Sequence, residues 1–277
     1  MLKGVPPTAR SLAADLRALG LTSGDVVLVH SSLRSLGPVV GDAQAVVQAL
    51  LAVVGTLVVP THTPHNTDPA GWENPPVPPD WWPVIRDETP GFDPARTPSR
   101  WMGRLPELVR TWPGALRSDH PQVSFAAVGP HAAEIVAEHP LEDGLGDRSP
   151  LGAIHRLDGK VLLLGCGHDS NTSLHLAEGR RPSPASEVTG ASVRHPDGSS
   201  RWVTWTQVSQ DADDFAALGA AYEAAGGPIT VGHVGDATAR LMPQRPLVDY
   251  ATTWLTAHRP PDLGDLGLVV GDAGPAD

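Results

Sequence analysis

Apolar and polar positions near the start of the chain alternate with the period of a helix. Leu12, Leu16 and Leu19 recur at helical spacing and share one face. Thr8 can cap the start of this helix, and Gly20 can end it in the left-handed conformation. The pattern predicts a short amphipathic helix before residue 20.

A strand, a second helix and another strand follow in the pattern. Residues 26–30 are short, apolar and β-branched, as in a buried strand, and residues 56–60 have the same character. Between them, Asp42 can cap a helix whose apolar positions continue to Val54. Such a βαβ unit predicts a parallel sheet with helices on its faces.

The same alternation returns after residue 120 and predicts one α/β layer scheme. We expect strands at 122–128 and 160–165, helices at 131–139 and from 171 to 178, and closing helices at 212–225 and 247–258. The strands at 187–194 and 202–206 flank HPDGSS, which predicts a hairpin turn.

Residues 62–100 form a proline-rich segment that holds three tryptophans and interrupts this scheme. Proline lacks the ladder donor and clashes inside helices, so neither a regular helix nor a central strand is expected here. Long loops of this kind are often functional, although a flap that only covers the core is the alternative. Residues 263–277 are predicted to be a mobile acidic tail of a single domain over 1–262.

Composition narrows the class of protein. With 277 residues, 40% hydrophobic and 18% charged, the chain can bury a core and is not globally disordered. A net charge of −11 disfavours nucleic acid as a partner and favours a cationic ligand. Cys166 is the single cysteine, and no apolar run is long enough to span a membrane. We expect a cytoplasmic protein without a membrane partner.

A serine-rich loop from His30 to Asp42 follows the first predicted strand. Its hydroxyls, glycine amides and Arg34 stand before a helix N-terminus, where anions such as a pyrophosphate are favoured. Serines in such loops also serve simply as turn formers and caps. The loop lacks both the Walker lysine pattern and the spaced glycines of a dinucleotide fingerprint.

The segment GCGHDSNTSLHLAE, residues 165–178, is the second candidate. If Asp169 or Ser170 caps the helix, Thr172, His175 and Glu178 share one helical face at three-residue spacing. A histidine beside a carboxylate suits a general base near neutral pH. The alternative is a helix N-terminus with a structural histidine.

Other histidines leave two further alternatives. His120 precedes a proline at the mouth of a predicted strand and can face a crevice, although such histidines are more often structural. His62 and His65 stand close together, and with His120 they are the candidate ligands of a metal-dependent hydrolase. No pair has spacing diagnostic of zinc, so no metal is expected.

Seven segments, in order over residues 8–258, resemble the aminoglycoside 3-N-acetyltransferase family, including its bacillus-type members. They are VLVHSSLRSLG, GTLVVPTHT, WENPPVP, WWPVIRDETPGFDPARTPSRWMG, RSDHPQVSFAAVG, SPLG and HDSNTSLHLAE. The resemblance implies an α/β/α layered fold with a central mostly parallel or mixed sheet, distinct from the GNAT acetyltransferases. It also implies acetyl-CoA as cosubstrate and an amine acceptor, typically the 3-amino group of a 2-deoxystreptamine aminoglycoside.

The resemblance further implies roles for individual residues. His175 matches the family's active-site histidine, with Glu178 and Thr172 in the surrounding pattern. The CoA-binding set is Ser31, Ser32, Arg34, Ser35, Leu36, Gly37 and Val40, with Pro98, Ser99 and Met102 on the opposite wall. The acceptor candidates are Asp169, His168 and His120, together with Trp72 and Glu73, which are proposed from the acidic charge balance and the position of the proline-rich segment.

The acceptor itself stays open at the level of sequence. WENPPVP is a loop type shared with similar proteins whose acceptor is not established or is not an aminoglycoside. A different amine, a non-catalytic CoA-binding protein and the metal-dependent hydrolase are the alternatives, and a monomer and a homodimer are both compatible with the chain.

Overall fold

The predicted strands pair into one mixed sheet in the computed structural model, which describes residues 5–73, 75–259 and 261. Seven strands follow the order β3-β4-β2-β1-β5-β9-β8. Their bounds are β1 Val26–Ser31, β2 Thr56–Pro60, β3 Leu116–Arg117, β4 Phe125–Val128, β5 Lys160–Leu164, β8 Thr230–Val234 and β9 Ala237–Pro243. Strands β6 Ser186–Arg194 and β7 Ser200–Val208 form a separate hairpin.

Only the centre of the sheet is parallel. Strand β1 lies between β2 and β5 and runs parallel to both, whereas β4, β3, β9 and β8 pair antiparallel. The carboxyl ends of the three parallel strands therefore meet at one edge of the sheet, where the loops after β1 and β5 separate to opposite sides.

Helices cover both faces of the sheet, which confirms the layered α/β/α prediction. They are α1 Ala9–Ala18, α2 Asp42–Leu51, α3 Trp82–Glu88, α4 Arg104–Arg110, α5 Ala132–Val136, α6 Pro150–Arg156, α7 Ser173–Gly179, α8 Phe215–Ala224 and α9 Gln244–His258. Alternate residues of each strand enter opposite cores: Val27 and Val29 pack with α1 and α2, whereas Val26 and Leu28 pack with α6 and α9.

Local details differ from several expectations. Gly41, with φ +86°, occupies the N-cap of α2, and Asp42 instead pairs with Arg104 at 2.5 Å. Neither Asp169 nor Ser170 caps α7, because these residues form a separate 3-10 turn and the helix begins after Thr172. The segment 62–100 does contain a helix, α3, with Pro83 tolerated in its first turn. The sequence pattern also missed β8 and β9.

The proline-rich segment packs on the β6–β7 hairpin. The Asn66 side chain both donates to and accepts from the Ser192 backbone at 3.0 Å, and the Phe92 amide donates to the same residue's carbonyl at 3.1 Å. The predicted tail, residues 263–277, lies outside the described residues. Among the residues that are described, no helix has both the length and the apolar character needed to cross a bilayer.

Candidate functional site

Two loops at the carboxyl edge of the parallel strands carry the residues singled out by the sequence. Residues 31–37 follow β1, and residues 165–172 follow β5 and lead into α7. The Ser35 hydroxyl donates to the Gly165 carbonyl at 3.0 Å, so the loops touch. This edge, at the point where the chain leaves a sheet in two directions, is where α/β proteins bind ligands.

His175 and Glu178 form a hydrogen-bonded pair on α7. The Nδ1 of His175 donates to Oε2 of Glu178 at 2.6 Å, because an ionised carboxylate can only accept. The side chain of Glu178 is 3% exposed and that of His175 is 15% exposed. The ring of His175 packs on Phe215 of α8 with centroids 4.7 Å apart. This tautomer leaves Nε2 free to accept a proton.

The second oxygen of Glu178 is held from the far end of the chain. Arg259, directly after α9, donates from Nη1 to Oε1 of Glu178 at 2.5 Å, and the Asp211 amide donates to the same oxygen at 3.1 Å. Asp214 takes two further bonds from Arg259, at 2.5 and 2.8 Å. Both oxygens of the buried carboxylate are therefore satisfied.

Two neutral histidines stand near His175 at the ends of the parallel strands. Burial and nearby His175 lower the pKa of His30 to about 3, and burial together with His175 lowers the pKa of His62 to about 3. Their Nε2 atoms are buried and have no hydrogen-bond partner among the described residues. At neutral pH these imidazoles carry no charge that would compete with His175.

Part of the predicted CoA set lines a cleft of about 330 Å³ beside the serine loop. Ser31, Ser32 and Arg34 form one wall, and residues 103–105 form the other. Arg34 is exposed and makes no ion pair within the described ranges, so its guanidinium can meet an anion. Met102 immediately precedes the second wall.

The rest of the predicted CoA set is dispersed. Leu36 is fully buried, so its side chain cannot touch a cofactor in this structure. Val40 lines a different cavity, beside the start of α1, and Pro98 lines one between the proline-rich segment and the hairpin. Ser99 binds the Glu107 carboxylate at 2.8 Å.

Gly37 joins the serine loop to the second cleft. It adopts φ +78°, and a Cβ there would lie 2.3 Å from the carboxylate of Asp236. Only glycine combines this backbone conformation with so close an approach. This allows the turn between β8 and β9 to lie against the serine loop, where the Asp236 amide donates to the Leu36 carbonyl at 3.3 Å.

The second and larger cleft, about 750 Å³, is acidic. Asp169, Asp236 and Glu223 line it together with His168 and Arg240, and Ser35 forms part of its edge. Asp169 and Asp236 are exposed and unpaired within the described ranges. Glu223 instead binds Nε2 of His168 at 3.1 Å and Nε of Arg240 at 3.0 Å. The cleft thus presents two free carboxylates.

The structure places the predicted acceptor residue His120 in the interior. Its side chain is fully buried, its Nδ1 accepts from the amides of Gln122 and Val123 at 3.1 Å, and its ring packs on His139. Burial lowers its pKa to about 4, so it is neutral and structural. Trp72 donates to Thr67 at 3.0 Å and, like Glu73, lies outside both clefts.

The candidate metal ligands do not converge. His62 packs edge-on against Phe125, and His120 is enclosed by backbone and aromatic contacts. Within the described ranges, no group of three or more histidine, cysteine, aspartate or glutamate side chains could hold a metal ion. Thr172 lies half-buried at the N-cap of α7, one turn before His175.

Sequence reasoning missed the acidic residues contributed late in the chain, Glu223 and Asp236, and also missed Arg259. The run VGHVGDATA has a glycine-aspartate turn between β-branched residues, which is a hairpin signal that could have placed Asp236. No local pattern links Arg259 to Glu178, because 81 positions separate them.

Comparisons with known proteins agree with the resemblance. A family model described as aminoglycoside 3-N-acetyltransferase matches residues 28–256. The chain is 44% identical to the SPbeta prophage-derived aminoglycoside N(3')-acetyltransferase-like protein YokD of Bacillus subtilis (strain 168), over 90% of this chain and 92% of that protein. It is 36% identical to aminoglycoside N(3)-acetyltransferase IX of Micromonospora chalcea, over 92% and 95% respectively.

Solved structures show the same similarity. The crystal structure of YokD from Bacillus subtilis superposes with a TM-score of 0.90 at 42% identity, covering 92% of this chain and 96% of that one. AAC-IIIb in a binary complex with CoASH gives 0.81 at 31% identity, over 91% and 97%. AAC-VIa bound to sisomicin gives 0.80 at 30% identity, over 91% and 98%.

Proposed function

Because this chain belongs to the aminoglycoside 3-N-acetyltransferase family and is an N-acetyltransferase, we propose that it acetylates an amine with acetyl-CoA, using His175 as general base. The acceptor that the family membership favours is the 3-amino group of a 2-deoxystreptamine aminoglycoside. The observation that carries the proposal is the His175–Glu178 pair at 2.6 Å, held at the ligand-binding edge of the sheet.

The chemistry asked of the protein is removal of a proton from the amine and stabilisation of the oxyanion. Acetyl-CoA supplies an electrophilic thioester carbonyl, so a neutral amine needs little further activation. Glu178 fixes the His175 tautomer whose Nε2 accepts the amine proton, directly or through a water. Thr172, one turn earlier, is the proposed hydroxyl donor to the oxyanion.

The serine-loop cleft has the donor set that a pyrophosphate or phosphate of CoA requires. Arg34 and the hydroxyls of Ser31 and Ser32 line one wall, and Arg104, which pairs with Asp42, lines the other. Guanidinium and hydroxyl groups are the usual partners of phosphate oxygens. The CoASH complex of the relative AAC-IIIb supports this use of the fold.

Replacing Arg34 with glutamine should weaken acetyl-CoA binding without changing the chemistry. We expect KM for acetyl-CoA to rise roughly threefold to tenfold, with kcat unchanged, because an exposed charge-assisted contact is lost. Steady-state kinetics at two salt concentrations measures this. Arg201→Gln is the matched control, since the Arg201 side chain is 60% exposed and its one ion pair among the described residues is with Asp197 in the hairpin turn. Equal KM values for both variants would place CoA elsewhere.

The acidic cleft has the charge that a polyamine acceptor requires. Asp169 and Asp236 are two unpaired carboxylates on one cleft, whose wall α8 also supplies the Phe215 ring beneath His175. Carboxylates of this kind attract ammonium groups and orient them. The sisomicin complex of the relative AAC-VIa supports a cationic amine as the acceptor.

A panel of amines with acetyl-CoA tests both the reaction and the acceptor. Thiol release measures turnover, and mass spectrometry with NMR locates the acetylated nitrogen. For a polyamine substrate, Asp236→Asn should raise KM roughly threefold to tenfold and leave kcat nearly unchanged, because one ammonium contact is weakened. The control is Asp249→Asn, an exposed acid on α9. Absence of thiol release with every amine would contradict the proposed reaction.

One feature of the cleft favours a second acceptor class, a non-aminoglycoside amine. Arg240 adds a guanidinium to this cleft and forms an ion pair with Glu223 at 3.0 Å, while the buried His168, whose pKa burial lowers, contributes a hydrogen bond but no charge. A cation there suits an acceptor that carries one amine and an anionic or neutral group. Preference of the enzyme for such monoamines over polyamine sugars in the panel would select this class.

A further inference from the structure

We propose that Arg259, at the end of α9, is a positioning residue for His175, because it fixes the Glu178 carboxylate that holds the imidazole. The inference rests on the proposed function, since it matters only if His175 is the general base. It adds a residue outside the family-resembling HDSNTSLHLAE segment to the machinery of the reaction.

All three nitrogens of the Arg259 guanidinium donate hydrogen bonds. Nη1 donates to Glu178, Nε and Nη2 donate to the two oxygens of Asp214, and Nη2 also donates to the Asp211 carbonyl at 2.7 Å. The side chain is 14% exposed. Its carboxylate partners, led by Asp214, raise the pKa of Arg259, so it stays charged. A planar group held at this many points cannot rotate without breaking several bonds.

Arg259 and His175 bind different oxygen atoms of the Glu178 carboxylate. His175 holds Oε2, whereas Arg259 and the Asp211 amide hold Oε1. Fixing Oε1 fixes the plane of the carboxylate, and the plane determines where Oε2 meets Nδ1 of His175. The orientation of the base is thus set by a residue that does not touch it.

A second contact route passes through Phe215. The Cζ atom of Arg259 lies 5.9 Å from the centroid of this ring, and His175 packs against the ring at 4.7 Å. A change at Arg259 therefore reaches His175 both through the carboxylate and through the aromatic side chain that supports the imidazole.

The charges around His175 determine the sign of the electrostatic effect. Glu178 on α7 and Asp214 before α8 are anions, and Arg259 after α9 is the cation between them. His30, near the end of β1, and His62, just after β2, are neutral, with pKa values of about 3. The crevice in front of the ring also has Glu142 and Asp143 on its wall.

Removing the cation should make His175 hold its proton more tightly. Without Arg259, Glu178 and Asp214 lose their neutralising partner, and the protonated imidazole is stabilised. The base then becomes available only at higher pH. Removing the anion Asp214 instead leaves the positive charge of Arg259 less neutralised. His175 should then hold its proton less tightly.

The test is the pH dependence of kcat/KM with one fixed amine acceptor, whose own titration is common to all variants. For Arg259→Gln we expect the acidic limb to move up by about 0.5 to 1 pH unit, with kcat lower by roughly tenfold. Arg259→Lys keeps the charge and should return the limb to the wild-type position while restoring kcat only in part. Asp214→Asn should move the limb down.

Arg245→Gln is the matched control, because Arg245 lies at the opposite end of α9 and bonds to His155, Arg156 and Asp158. NMR titration of the His175 ring gives the same shifts without turnover, and it applies to whichever variants fold. An unmoved limb in Arg259→Gln, or shifts of the same sign in Arg259→Gln and Asp214→Asn, would overturn the inference.

Failure of this inference is distinguishable from failure of the proposed function. If His175→Ala abolishes turnover while the Arg259 limb stays in place, only the positioning role is lost. If His175→Ala retains turnover, the general base is wrong and the positioning role falls with it.

Discussion

Replacing His175 with alanine is expected to lower kcat by about a hundredfold to ten-thousandfold, the range that general-base help contributes. The imidazole offers the only side-chain nitrogen on α7 that can accept a proton near neutral pH, and Glu178 holds it in the required tautomer. KM values should change little, because the ring acts on the amine proton in the transition state. Thiol release under saturating acetyl-CoA and acceptor measures the effect.

A surface pair of the same chemistry provides the control. His131 and Glu134 are also three positions apart and bond at 3.1 Å, but their side chains are 47% and 60% exposed. His131→Ala should keep wild-type kinetics. The thermal transition of His175→Ala should fall by only a few degrees, because Oε2 of the buried Glu178 loses its partner while Arg259 and the Asp211 amide still hold Oε1. Near-normal turnover in a folded His175→Ala variant would show that His175 is not the general base.

The second large effect is expected for Glu178→Gln, with kcat lower by roughly a hundredfold or more. The substitution keeps the shape but changes which atoms can accept. Arg259 has only donors, so it should retain the amide oxygen and turn the amide NH₂ toward Nδ1 of His175. The imidazole must then carry its proton on Nε2, which is the tautomer unable to act as a base.

The position of the proton on the His175 ring distinguishes this effect of Glu178→Gln from a general loss of packing. Glu134→Gln at the surface pair is the control and should be silent, because that histidine is exposed to water. NMR of the ring nitrogens should report the proton on Nε2 in Glu178→Gln and on Nδ1 in the parent. A variant that is slow but keeps the parent tautomer would show that Glu178 acts only through packing.

Elements with strong local signals were predictable from the sequence. Strand β2 has the predicted bounds Thr56–Pro60, and α1 begins after Thr8 with the expected side-chain cap. The hairpin of β6 and β7 also lies where the HPDGSS turn placed it. In each case one run of residues contains the whole signal, either apolar periodicity or turn chemistry.

Elements whose stability depends on distant packing were not predictable in the same way. Strands β8 and β9 continue the sheet beside β5, yet exposed residues interrupt their apolar pattern. The sheet is mixed because β4, β8 and β9 pair antiparallel with their neighbours. The βαβ pattern in the sequence predicted only the parallel strands at its centre. A local window cannot contain the partner that makes such a segment a strand.

In the candidate site, too, local spacing predicted some contacts and tertiary packing determined the others. Three-residue spacing alone placed His175 beside Glu178, because a helical turn brings positions i and i+3 together whatever the rest of the chain does. Only the tertiary structure shows that Arg259 and Asp214 lie beside that pair. It also shows that Asp236 lies against Gly37 and that His120 is buried. The physical reason is that spacing along the backbone fixes near neighbours, whereas burial and charge at a site are sums over every element that packs there.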